Sequence, residues 1–355
     1  ALVRRRRRPG RIAAAGLSVA AAVVFSAAAC SSDVSAPPRA DADDTSSADD
    51  GTQPPTEAGD VRPDGADLPP PADAFDAPPE ADVAPPPLDE CAAPRPEWVF
   101  CSGFEEGSLD IWDDYDGNPP ETNRIIEDPG PFGPAGNHVG RLRVPPGRGG
   151  ADLVKVLPTA HDRLYARWYI QWEPGFDFEA PNHGGGLHAG HRNHLGRSDH
   201  RPRGDDWFTA WIEPLPGLRM LNAYVYYRGM YMDCVNPSGA CWGDHFPCMF
   251  AERICERPEH RPGVTPPVLE AGRWYCVEML LDGGTPSATG AGATGALDWW
   301  IDGLEVGPWE NLWMRTSPDV RIGILWLSLF HHGEHSVEGV MYDRVVVSTA
   351  RIGCP

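Results

Sequence analysis

Leu164-Tyr165-Ala166-Arg167-Trp168-Tyr169-Ile170-Gln171-Trp172 alternates along its whole length. Leu164, Ala166, Trp168, Ile170 and Trp172 fall on one face, and Tyr165, Arg167, Tyr169 and Gln171 on the other. A period of two marks a half-buried strand, here with a polar and aromatic second face. Asp206 to Glu213 and Leu221 to Tyr227 repeat the pattern, and in the latter Asn222, Tyr224 and Tyr226 share a face. Arg273 to Leu281, Ala296 to Asp302, Arg321 to Phe330 and Val340 to Ser348 complete the strand-like runs. Asp302-Gly303, between Trp299-Trp300-Ile301 and Leu304-Glu305-Val306, signals a tight hairpin. Trp299 and Trp300 are expected on opposite faces. Gly283 to Gly295 reads as a flexible loop. There is no internal repeat and no long 3.6-residue period outside the first 30 residues. Many short strands joined by Gly/Pro turns predict an all-β chain folded as a sandwich or jelly roll.

Outward from this region the chain divides by charge. Its 355 residues carry 51 acidic and 30 basic side chains, a net charge of −21, which disfavours a nucleic-acid partner. Residues 1–30 hold six Arg and no acid; residues 31–90 hold 16 acids, two Arg and 13 Pro. Arg4 to Arg8 with Arg11, the apolar run Ile12 to Ala29 and the small residues before Cys30 follow the logic of a secretory signal over 1–29. The run ending in Ala27-Ala28-Ala29-Cys30 resembles a bacterial lipobox, and that resemblance makes Cys30 the lipidation site. Ser31 in place of an Asp then favours the outer membrane or cell surface. The acidic, Pro-rich stretch over 30–95 is expected to remain a disordered tether, since it has too little apolar surface to offset its chain entropy. The folded domain is expected over 96–355.

Beyond Cys30 there are eight cysteines: Cys91, Cys101, Cys234, Cys241, Cys248, Cys255, Cys276 and Cys354. An even number in an exported domain points to disulfides. Cys234 to Cys255 recur every seven residues, without the short pair that a zinc site uses. A bond from Cys91 or Cys101 to Cys354 would tie the two ends of the domain together.

Several phrases resemble one family, the concanavalin A-like jelly rolls of the polysaccharide-lyase type. Phe104 to Trp112 resembles its opening strand, and Tyr165 to Tyr169 with Pro174-Gly175-Phe176 a strand and loop. Arg273 to Glu278 with Trp300 to Gly303 resembles its paired strands, and Tyr342 to Val347 with Ile352-Gly353 its last strand. The resemblance covers roughly 100–354. It implies a two-sheet antiparallel jelly-roll sandwich with a face that holds glycan, so the expected partner is a polysaccharide or cell-wall glycan. Some members carry a structural calcium ion, for which Glu105 and Asp343 would serve; no other cofactor is required.

The residues also speak to chemistry. The E-x-D-x-x-E strand of laminarinase-like hydrolases is absent. A lyase instead needs groups that damp a uronic carboxylate's charge, a base for the α-proton and a donor for the leaving oxygen. Tyr226, Tyr224, His188, Arg167 and His332 are the catalytic candidates, with Asn222, Tyr169, Gln171 and Trp211 as substrate-binding candidates. His183, His191 and His194 share the Gly-rich stretch with His188, expected to be a loop. Three readings stand open: a surface lipoprotein that cleaves an acidic polysaccharide by β-elimination, one that only binds glycan, and a structural envelope lipoprotein.

Overall fold

The computed structural model describes residues 89–115, 123–133, 136–146, 149–198, 200–231, 242–249, 263–332, 336 and 338–355. The expected signal segment, Cys30, most of the expected tether, and Cys234, Cys241 and Cys255 lie outside these residues. The strands are β1 (Trp98–Ser102), β2 (Asp114–Tyr115), β3 (Asn123–Glu127), β4 (His138–Val144), β5 (Gly150–His161), β6 (Arg163–Trp172), β7 (Asn182–His183), β8 (Gly185–Gly190) and β9 (Trp207–Leu215). They continue as β10 (Met220–Tyr226), β11 (Asp244–Phe246), β12 (Trp274–Asp282), β13 (Gly295–Ile301), β14 (Leu304–Glu305), β15 (Trp309–Leu312), β16 (Ile322–His331) and β17 (Glu338–Ser348). Among the described residues the only helices are three short 3-10 turns, at Glu90–Ala92, Gly130–Phe132 and Arg192–His194.

Two antiparallel sheets result, as the alternation predicts. Sheet A has the order β14-β13-β12-β6-β17-β4-β3, with β1 on β17 and β15 on β13. Sheet B has the order β11-β10-β9-β8-β16-β5-β2, with β7 on β16. The long-range order, in which β6 pairs with both β12 and β17, is that of a jelly-roll sandwich rather than a meander.

The core lies between the sheets. From β6, Leu164, Ala166, Trp168, Ile170 and Trp172 all enter it, the face predicted from sequence. Sheet B contributes Leu187, Phe208, Ala210, Leu221, Val225 and Leu327. Each fully buried large apolar side chain contributes roughly 1.5–3 kcal/mol. Polar links also cross the layers: Trp299 Nε1 donates to Phe246 O at 2.9 Å, Tyr342 Oη to Ser328 O at 3.1 Å, and Asn123 Nδ2 to Asp152 O at 2.7 Å. At the predicted hairpin Asp302 and Gly303 have φ of 49° and 81°, the pair of positive values that a tight β13–β14 connection needs. Trp299 enters the core, whereas Trp300 points away and lies under Arg351, 4.2 Å from its ring.

Three expectations need correction. Phe104 to Trp112 is a run of turns rather than the opening strand; the first strand is β1. The Gly-rich stretch around His188 is not a loop, because β7 and β8 pair there with β16, and β8 also pairs with β9. Cys91 bonds to Cys101 and Cys276 to Cys354, so neither Cys91 nor Cys101 reaches Cys354. The reason is local. The Glu90–Ala92 turn folds back beside β1, while the tail after β17 crosses β12. Cys248 is also disulfide-bonded.

Candidate functional site

The outer face of sheet B, on the far side from Leu187, Phe208, Leu221 and Leu327, gathers rings and titratable groups by strand register, and its Trp207, Trp211, Tyr224 and Tyr226 are themselves buried and continuous with the apolar core. Tyr226 and His188 both lie opposite Thr209; Tyr224 and Gly186 both lie opposite Trp211; Asn222 lies opposite Glu213. On its other side Tyr224 faces His245 of β11. Alternate residues of four adjacent strands thus meet in one patch. A Cβ on Gly186 would come within 2.0 Å of Ala210 O. Glycine therefore lets β8 and β9 close up beneath Trp211 and Trp326, whose rings meet edge-on at 5.3 Å.

The phenols of Tyr224 and Tyr226 are 2.9 Å apart, and Gly243 N donates to Tyr224 Oη at 3.2 Å. The Tyr224 oxygen accepts from Gly243 and keeps a second lone pair and its own hydrogen, so either phenol can donate to the other. Burial first, and the neighbouring Tyr226 second, push the Tyr224 pKa up, so Tyr224 remains a donor.

Imidazoles flank the pair. His183 stacks on Tyr224 with 5.5 Å between centroids, and His245 stacks on it at 4.7 Å. His183 Nδ1 lies 2.7 Å from Glu213 Oε2, and its Nε2 lies 2.8 Å from His332 Nε2. Burial opposes charge on His183, but the Glu213 carboxylate more than offsets it and raises the pKa. Burial raises Glu213 as well, so this pair lies between a shared proton and a full ion pair, with the same net charge either way. Burial pushes His332 down to about 4, so it is neutral near pH 7 and accepts from a cationic His183. His245, pushed down to about 3, donates from Nδ1 to Asn222 Oδ1 at 2.7 Å. Trp211 adds an indole N–H that is buried without a partner.

Of the sequence candidates, Tyr224, Tyr226, Asn222, Trp211 and His332 come together here. His188 is on the same face but buried against Trp207, at 6.0 Å, and pushed down to about 3. Arg167, Tyr169 and Gln171 do not join them. They belong to β6 of sheet A and point out of the opposite side of the sandwich, where Arg167 pairs with Glu90. The expectation that Arg167 damps a substrate carboxylate beside the tyrosines is therefore corrected. Glu213 and His245 were missed. Glu213 alternates in phase with Trp207 and Trp211, a signal that was available; His245 sits in a three-residue strand inside the Cys-spaced stretch and carried none.

Glu105 and Asp343, the expected calcium ligands, lie on either side of the Asn137-His138 pair. Glu105 accepts from His138 N at 2.8 Å and contacts its Nδ1 at 2.9 Å, while Asn137 Nδ2 donates to Asp343 Oδ2 at 3.2 Å. Calcium takes six to eight oxygen ligands. Among the described residues no group of three or more His, Cys, Asp or Glu stands together to hold a metal. The two carboxylates are instead spent on Asn137 and His138, so as arranged they do not fit the ion.

No family model matches the chain, and no curated protein does. Solved structures do, and several of them are polysaccharide lyases. Alginate lyase vAL-1 from Chlorella virus is 13% identical, with a TM-score of 0.48 over 68% of this chain and 94% of that one. The marine PL-14 alginate lyase from Aplysia kurodai is 11% identical, with a TM-score of 0.49 over 71% and 99%. The endo-beta-1,4-glucuronan lyase from the fungus Trichoderma reesei is 16% identical, with a TM-score of 0.44 over 71% and 96%.

Proposed function

We propose that the outer face of sheet B binds an acidic polysaccharide and cleaves it by β-elimination. The observation that carries this reading is the 2.9 Å contact between the two phenols, with His183 stacked on Tyr224 and held by Glu213. The Nδ1–H of neutral His332, at the end of the Glu213–His183–His332 chain, and the unpartnered Trp211 N–H donate to the uronate carboxylate and so acidify the adjacent C–H. Tyr226, entering the step as its phenolate, takes that proton and becomes a phenol. A C=C bond forms as the C–O bond to the next sugar breaks, and the proton passes through the hydrogen-bonded phenols to the departing oxygen. General acid–base help of this kind is worth about 10²–10⁴-fold. Trp326, Phe330 and His332, the more open members of the patch, form its rim and offer rings for sugar stacking.

A second reading, glycan binding without cleavage, is favoured by one observation: Tyr226 is 0% and Tyr224 6% exposed, so a substrate must reach the phenols past the rim. Alginate and glucuronan added separately to the full-length protein test both readings. Unsaturated uronate absorbance in the ultraviolet supports cleavage. Slowed migration in polymer-loaded gels without that absorbance supports binding alone. Neither response removes both.

The same proposal places the domain on a lipid anchor at Cys30, at the outer membrane or cell surface, on the basis of the Arg-rich start, the apolar run and the small residues before Cys30. Incorporation of a labelled fatty acid by the wild type, and its loss together with release from membranes in Cys30→Ser, is the expected result. Unlabelled protein would remove this part alone.

A further inference from the structure

We infer that the outer face of sheet A carries a second ligand pocket, built for the carboxylate of an acidic sugar and independent of the tyrosine cluster. Here β6 presents Tyr165, Arg167, Tyr169 and Gln171 outward, and both ends of the folded domain lie over them. The Glu90–Ala92 turn is pinned by Cys91–Cys101. The tail is pinned by Cys276–Cys354 and by Glu278, which accepts from Ile352 N at 2.7 Å and Gly353 N at 3.1 Å. Between these ends a cavity of about 350 Å³ remains, lined by Glu90, Arg95, Trp98, Arg167, Arg344 and the tail 352–355.

Three cationic side chains against one carboxylate side chain line this cavity, in a chain whose net charge is −21. Arg167 is 0% exposed. Glu90 occupies its Nη2, but its Nε and Nη1 are buried with no hydrogen-bond partner. A buried donor left unpaired costs about 1–3 kcal/mol, more when charged, so such an arginine in a cavity wall is a docking point for an anion. Trp98 supplies an indole whose Nε1–H is likewise buried without a partner. Arg344 reaches this face because of a local irregularity. The β6–β17 register shifts between Asp343 and Val346, and Arg344 has a φ of 46°, so Asp343 and Arg344 both turn outward between the core residues Tyr342 and Val345. Guanidinium and indole on the walls of a cavity large enough for one sugar ring match a uronate better than a bare anion, and Glu90 can accept from a sugar hydroxyl.

Titration calorimetry on the full chain tests this, with sodium glucuronate as probe and glucose, acetate and inorganic phosphate as comparators. The expected result is saturable one-to-one binding of glucuronate that persists in His183→Ala, weakens at least tenfold in Arg167→Gln, and weakens about threefold in Arg95→Ala, whose exposed side chain can be removed without harm to folding. Near-ultraviolet circular dichroism establishes that Arg167→Gln is folded. Absence of saturable binding overturns the inference, as does binding lost in His183→Ala but kept in folded Arg167→Gln. Acetate or phosphate binding as tightly as glucuronate overturns its sugar part. Because none of these residues belongs to the sheet B cluster, failure of the lyase reading leaves this test intact, and the reverse holds too.

Discussion

The two outer faces of the sandwich begin from the same local pattern and end in different states. On β6 the polar face reads Tyr165, Arg167, Tyr169, Gln171; on β10 it reads Asn222, Tyr224, Tyr226. Both alternate with apolar residues that enter one core. The face on sheet A is closed by the two ends of the folded domain, each fastened by a disulfide, so that Arg167 is buried against Glu90. The face on sheet B meets further strands edge to edge, and neighbouring strands supply Glu213, His183 and His245. Period-two alternation identifies a face. What covers that face is decided by segments far away in sequence.

The contrast can be broken most sharply at Tyr226. Tyr226→Phe removes the phenol and leaves the ring that packs on Trp207 and Trp211. Product formation is expected to fall at least 100-fold, within the usual range for an acid–base group, while glycan retardation in gels changes less than threefold. Equal loss of both would make the tyrosine a packing residue.

On the other face the largest effect is expected from Cys276→Ser. The Cys276–Cys354 bond spans 78 residues, and losing such a link costs about 2–4 kcal/mol. Urea unfolding should show that drop, with the cleavage rate at 25 °C within twofold of wild type. A rate that falls in step with stability would mean the two faces are coupled.

A smaller effect, dependent on pH, separates the sheet A framework from the site. Asp298 in β13 is pushed up to about 7, first by burial and then by the adjacent Glu305. Its ordinary value, near 3.9, describes the unfolded chain. The folded state therefore holds a proton that the unfolded state has lost between pH 4 and 7, and stability falls as pH rises through that window. Asp298→Asn keeps the neutral form, so unfolding midpoints at pH 5 and pH 8 should lie closer together than in the wild type, with the variant the more stable at pH 8. An unchanged difference would place the proton elsewhere. Smallest of all, Gly303→Ala at a φ of 81° in the β13–β14 turn should cost about 1 kcal/mol and alter neither face, a control for remote damage.

Much of this architecture was legible in the sequence. The strands β6, β9, β10, β12, β13, β16 and β17 follow from alternation, and Asp302-Gly303 from turn chemistry. The strands that escaped lack a strong pattern of their own. β8, Gly185–Gly190, has a glycine at three of its six positions, and the glycines are there because neighbouring backbone comes too close for a side chain. At the site, the shared face of Asn222, Tyr224 and Tyr226 could be read from one strand. The contacts of Glu213 with His183, of His183 with His332 and of His245 with Asn222 depend on which strands become neighbours, and that register is not written locally. Arg167 has the residue type that the chemistry asks for, yet nothing in β6 alone reveals that it belongs to the other sheet.

The most direct test of the central claim is the initial rate of ultraviolet absorbance increase on a uronate polymer, wild type against Tyr226→Phe, at equal folded concentration. The account predicts a steady rise with the wild type and a rate at least 100-fold lower with the variant. A polymer that binds the outer face of sheet B yet yields no unsaturated product with either protein, or the same rate with both, would contradict it.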